Sequence, residues 1–145
     1  MALAPRYPET SYEPSPLVDL SAKAERERLG PSAVKAFLNI MARWEVRDQD
    51  ARVLLGGMSN GQFYEMKKRP ARTLDADTLT RISYLVGIFK ALNVLYSEKL
   101  ADAWVKRANA NRIFAGATPL AYMMKGGLAA MAVVRRLLDA RRGGV

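Results

Sequence analysis

Neither cysteine nor histidine occurs in the 145 residues of this chain. The first absence removes disulfide frameworks and thiolate chemistry, as suits a cytoplasmic protein. The second removes Ser–His hydrolysis and histidine general-base catalysis, and the two together remove zinc sites of the usual Cys/His type. Acid is scarce as well: beyond Arg112 the only carboxylate side chain is Asp139. No carboxylate pair stands out from the helix-surface charge pattern, so an enzymatic reading has no residues to carry it, and no cofactor or metal is implied. The longest uncharged apolar run, residues 128–134, falls far short of the ~20 residues that span a bilayer. The N-terminus lacks the charged-then-apolar pattern of a signal peptide, and no stretch alternates as a strand would. These absences leave a soluble, cytoplasmic, all-α binding protein of about seven helices.

What is present is apolar surface and positive charge. Half the residues are hydrophobic, which argues against wholesale disorder. The net charge of +9 is unevenly spread: residues 1–30 carry −1, 31–74 carry +4, 75–110 carry +1 and 111–145 carry +5. Two separate basic regions point to two anionic partners, or to one partner and one solvated surface.

Along the chain, residues 1–20 hold Pro5, Pro8, Pro14 and Pro16 and read as a mobile arm, or as one that packs on a partner through Tyr7, Tyr12 and Leu17. Residues 21–29 suggest a short charged helix. Pro31-Ser32 then introduces a second, over residues 33–44, with Val34, Phe37, Leu38, Met41 and Trp44 inward. A helix over residues 48–55 buries Ala51, Leu54 and Leu55. Gly56-Gly57-Met58 makes a turn, and Ser59 caps a helix over residues 60–68 held down by Phe63 and Met66. Helix, glycine turn, Ser cap, helix is the order of a helix-turn-helix, which gives a first domain of residues 21–73.

In that reading Asn60, Gln62, Tyr64, Lys67 and Lys68 face outward. Lys67, Lys68, Arg69 and Arg72 supply cations for phosphates, while Ser59, Asn60 and Gln62 lie where a recognition helix reaches base edges. The alternative is a basic helix end favoured by the helix dipole. Val53 stands four residues before Gly57, where a small residue normally lets the helices approach, and suggests a widened motif.

The next helix is the longest, reaching Tyr96. Its two apolar stripes are Leu79, Ile82, Val86, Phe89 and Tyr96, then Leu85, Ile88, Leu92 and Leu95. A helix apolar around most of its circumference is buried on more than one side, so the second stripe is expected to serve both the core and a homodimer interface. Another helix over residues 97–106 should turn Leu100, Ala103, Trp104 and Ala108 inward.

Residues 101–127 form the organising stretch. A polar break (Asn109, Asn111) precedes the apolar pair Ile113 and Phe114 and a tight turn over residues 115–117. Thr118 is a good N-cap and Pro119 fits the first helical position. Gly126 and Gly127 stop that helix. Residues 128–142 then set Leu128, Met131, Val134, Leu137 and Leu138 against Arg135, Arg136, Arg141 and Arg142, a basic amphipathic helix that in isolation would also suit an anionic membrane.

The ordered series Trp104, Asn109 to Asn111, the apolar pair, Gly116, Thr118-Pro119-Leu120 and Lys125-Gly126, closed by an amphipathic helix, resembles the toxin-binding domain of Xre/MbcA/ParS antitoxins. The match covers roughly residues 74–145. The resemblance implies a type II antitoxin whose partner is a RES-domain toxin that degrades NAD, with the antitoxin's C-terminal end obstructing the toxin's active-site entrance. By position, Arg135, Arg136, Leu138, Arg141, Arg142, Gly143, Gly144 and Val145 would carry toxin binding. Trp104, Phe114, Gly116, Pro119, Leu120 and Gly126 would be scaffold. Members with an N-terminal helix-turn-helix resemble autorepressors, which adds operator DNA as a second partner. The competing reading is a stand-alone transcriptional regulator whose C-terminal half only dimerises.

Overall fold

The computed structural model describes residues 18–70, 72 and 74–143, and every regular element among them is helical. They are α1 (Lys23–Arg43), α2 (Asp48–Leu54), α3 (Asn60–Lys68), α4 (Ala76–Leu95), α5 (Glu98–Trp104), a 3₁₀ turn (Arg112–Phe114) and α6 (Pro119–Arg142). Residues 1–17 of the expected arm lie outside the described residues. Among the described residues no helix is long and apolar enough to cross a membrane, and no cluster of acidic side chains could hold a metal ion.

α4 is the hub. Asp75 caps it by accepting a hydrogen bond from the Thr78 N–H at 2.7 Å, and α1, α5 and α6 pack around it. Leu85, Ile88, Ala91 and Leu92 are fully buried inside a single chain. That corrects the expectation of a dimer interface along Leu85, Ile88 and Leu92: helices of the same chain already cover them. Gly87 is buried in the same stretch because the Arg135 guanidinium crosses it. A Cβ on Gly87 would come within 1.7 Å of Arg135 Nη1.

The two N-terminal helices expected on either side of Pro31 are one continuous helix, with Pro31 inside it. The proline forfeits one main-chain hydrogen bond, but Val34, Phe37, Ile40 and Met41 beyond it are buried, and that packing fixes the helix. Gly30 lies against the carbonyl oxygens of Pro70 and Arg72, at 3.2 and 3.6 Å from where a Cβ would sit. At its far end α1 is tied to α5 by Arg43, which reaches Asp102 at 2.8 Å and Glu98 at 2.9 Å. The hydrogen bond to Asp102 holds the Arg43 guanidinium above its ordinary range.

The inward residues here are Ala101 in α5 and Val105 at its C-cap, while Leu100 in α5 and Ala108 beyond it are exposed and Trp104 is half-buried. The expected face was therefore rotated: Leu100 and Ala108 point away from the core. The Leu120 N–H donates to the Val105 carbonyl at 2.8 Å, fastening the start of α6 to the end of α5. Trp104, Phe114 and Tyr122 form an edge-on series, with ring centroids 6.0 and 5.3 Å apart. Thr118 caps α6 by accepting from the Ala121 N–H. The helical path of α6 breaks at Gly127 (φ 62°, ψ −141°), so its two arms leave at an angle. The second arm buries Met131, Val134 and Leu138.

Candidate functional site

α2, the turn and α3 follow the expected order. Gly56 and Gly57 take φ of +90° and +85°, conformations open to glycine at little cost. Ser59 closes a capping box: its hydroxyl accepts from the Gln62 N–H at 3.1 Å, and the Ser59 N–H donates to Gln62 Oε1 at 3.2 Å. Phe63 and Met66 anchor α3 in the core. Val53, expected to wedge α2 and α3 apart, is 39% exposed instead.

The outward side of α3 presents Asn60, Tyr64, Lys67 and Lys68 as expected, with Arg69 and Arg72 exposed beyond its end. Gln62 is also exposed, but its amide oxygen is engaged by the cap, which removes the acceptor that a paired contact to adenine requires. Several cations are already partnered. Lys67 lies 3.0 Å from Asp48 and over the Phe63 ring. Glu65 pairs with Arg69, and Arg72 approaches the same carboxylate at 3.7 Å. Lys68 lies over the Tyr64 ring, 5.7 Å from its centroid, with no carboxylate at ion-pair distance among the described residues.

At the other end, the residues expected to meet a toxin divide into three kinds. Leu138 is fully buried in this chain's own core, which corrects its assignment as a contact residue. Arg135 crosses Gly87 and donates from Nε to Asp139 Oδ2 at 3.1 Å, so much of it is engaged within the fold. Arg136, Arg141, Arg142 and Gly143 are exposed. Arg142 approaches Asp139 at 3.8 Å, and Arg141 donates to the Tyr96 hydroxyl at 3.2 Å. Gly144 and Val145 lie outside the described residues. The scaffold residues run from α5 through the 3₁₀ turn to the first arm of α6. Phe114, Pro119 and Leu120 are buried. Gly116 takes φ +84° in the turn. Gly126 stands where a Cβ would lie 2.6 Å from Ala130 Cβ, beside the break at Gly127.

Sequence reasoning missed Arg81. Its guanidinium pairs with Asp77 at 2.8 Å and lies against both positive-φ breaks of the molecule's two ends. A Cβ on Gly56 would be 3.2 Å from Arg81 Nε, and one on Gly127 would be 3.6 Å from Arg81 Nη1. One side chain thus bridges the turn between α2 and α3 and the break in α6. The pairing with Asp77, four residues earlier on α4, is the one part of this arrangement that the sequence spacing carries.

Two family models match the chain. The antitoxin Xre-like helix-turn-helix domain matches residues 24–87, and the antitoxin Xre/MbcA/ParS C-terminal toxin-binding domain matches residues 90–144. The matched regions meet inside α4, the helix on which both ends pack. The chain is also similar to the uncharacterized protein y4oB of Sinorhizobium fredii (strain NBRC 101917 / NGR234). The two are 39% identical over 115 residues, 79% of this chain and 87% of the relative. No solved structure matches at a significant level. With both halves matched in order on an all-helical fold, the chain belongs to the Xre/MbcA/ParS family of antitoxins, a helix-turn-helix domain followed by a toxin-binding domain.

Proposed function

We propose that this antitoxin neutralises a RES-domain toxin that degrades NAD by setting the C-terminal end of α6 over the toxin's active-site entrance. The observation that carries the reading is the exposed cationic end of α6. Arg136, Arg141 and Arg142 project there around Asp139, the one acid of the last 43 residues. A cleft shaped for an anionic dinucleotide suits a slender cationic chain end, and apolar contact elsewhere supplies affinity. Burial decides where to cut. Removing residues 134–145 would take Val134 and Leu138 out of the core, whereas ending the chain after Ala140 spares both. Co-expressed with the product of the neighbouring gene, the full-length chain should co-purify and suppress NAD consumption. The chain shortened by residues 141–145 should still co-purify, with NAD consumption restored. No complex at all, or full suppression by the shortened chain, would overturn the reading.

The same antitoxin represses its own operon through α3, with Asn60, Tyr64, Lys67, Lys68, Arg69 and Arg72 toward DNA. Lys68 and the cationic end of α3 support this, as a source of the salt-sensitive attraction that phosphates provide. Glu65 works against it by holding Arg69 and Arg72. Glu65→Gln should therefore tighten binding to a promoter duplex by about tenfold at 50 mM salt, with the gain shrinking as salt rises. Fluorescence anisotropy over a salt series reads both the affinity and its slope. A weaker complex, or a gain independent of salt, would count against α3 as the phosphate-facing element.

A further inference from the structure

Between the 3₁₀ turn and the first arm of α6 lies an open groove of about 630 Å³ that none of the residues named above as the inhibitory end occupies. Its wall is made by Ala117, Ala121, Tyr122 and Gly126, with Ile113 at the rim, 38% exposed. The floor is rigid. Phe114 is 2% exposed and is held edge-on by the rings of Trp104 and Tyr122. An exposed Ile beside three small residues over an aromatic floor leaves apolar surface in water and room for a side chain to cover it.

The electrostatics of the same region choose the occupant. Lys125 lines the groove and Arg112 begins the turn that borders it. Neither lies at ion-pair distance from a carboxylate among the described residues, and no acid occurs anywhere from residue 103 to 138. A partner segment that inserts an apolar side chain here therefore gains most if carboxylates flank that side chain. A second copy of this chain fits less well, since it would bring another basic surface of the same sign.

We propose that this groove is the anchor point for the toxin: it receives one large apolar or aromatic side chain from a toxin segment bearing acidic residues. The assignment rests on the reading above that a toxin is the partner, and it adds a second contact distinct from the chain end. Tyr122 and Arg141 are 19 positions apart on α6, at most about 28 Å along a helix. A buried apolar anchor would then supply affinity, while the cationic end supplies inhibition.

Two substitutions test it without threatening the fold. Ala121 is exposed and is the third residue of α6, where Glu completes a capping box with Thr118. Ala121→Glu should keep the melting temperature while placing a bulky anion at the groove. Lys125→Glu reverses the flanking charge at an exposed position. With the neighbouring gene product as the probe, each should raise the Kd by about a hundredfold in titration calorimetry. Binding to a promoter duplex should be unchanged. A wild-type complex that both variants form with undiminished affinity would overturn the groove assignment while leaving the toxin reading intact. Failure of the wild type itself to bind the gene product would remove both. A loss of self-association in either variant, with toxin affinity unchanged, would reassign the groove to a second copy.

Discussion

Leu85→Ala is expected to lower the unfolding free energy by about 2–5 kcal/mol, with the same loss at every protein concentration. Leu85 is fully buried at the centre of α4, where α1, α5 and α6 converge. Truncation there removes packing that cannot collapse from several directions at once, so part of the cost is the cavity that remains. In a chain of this size the melting temperature should fall by roughly 5–20 °C. The concentration test distinguishes this from the dimer reading of the same residue. Were Leu85 at a subunit interface, stability would follow protomer concentration by mass action, and dilution would change the difference between the two proteins. Thermal melts at two concentrations a hundredfold apart decide it. A loss confined to the concentrated sample would restore the second stripe of α4 as an interface.

That example shows what the sequence could and could not convey. The apolar periodicity of α4 correctly marked Leu79, Ile82, Leu85, Ile88 and Leu92 as buried residues. It did not say which surface buries them, because a stripe has the same spacing whether its cover comes from the same chain or another. Local signals fared best where the chemistry is local. The Gly56-Gly57 turn and the Ser59 cap bounded α3, and Thr118-Pro119 opened α6, because φ preferences and capping hydrogen bonds act within four residues. They failed at Pro31, where a local breaker was overridden by burial of Val34, Phe37, Ile40 and Met41 against the rest of the fold.

The candidate site residues divide along the same line. The outward set on α3 and the exposed arginines of α6 follow from helical phase. Leu138 was misassigned because it sits among arginines in sequence yet faces the core in space. Gln62 was placed on the correct side, but its part in the cap is a detail of rotamer rather than of phase. Arg81 was out of reach for a different reason. Its partners Gly56 and Gly127 stand 25 and 46 positions away, and no local pattern records contacts at that separation.

Gly127→Ala carries the other large expectation, because it tests whether the break in α6 sets the toxin-facing geometry. At φ 62° and ψ −141° the backbone lies near a region that is essentially reserved for glycine, where an L side chain costs about 1–3 kcal/mol. Alanine has two courses. It can accept that strain, or the chain can straighten into a continuous helix, for which alanine has the better propensity. Straightening would swing the second arm away from α4 and expose Met131, Val134 and Leu138, which are fully buried. The second course is therefore the costlier, and the variant should keep the break, melt roughly 2–12 °C lower and hold its C-terminal arm less firmly. Arg81 Nη1 would then meet the new methyl at about 3.6 Å, ordinary contact, so strain rather than collision sets the cost. Suppression of NAD consumption by the neighbouring gene product should weaken more than DNA binding does, since the strained residue belongs to α6 itself and lies outside α3. Melting, the inhibition assay and anisotropy on one preparation give all three numbers. An unchanged melting temperature would mean that alanine relaxes into another backbone basin without moving the arm, and the break would then have no glycine requirement.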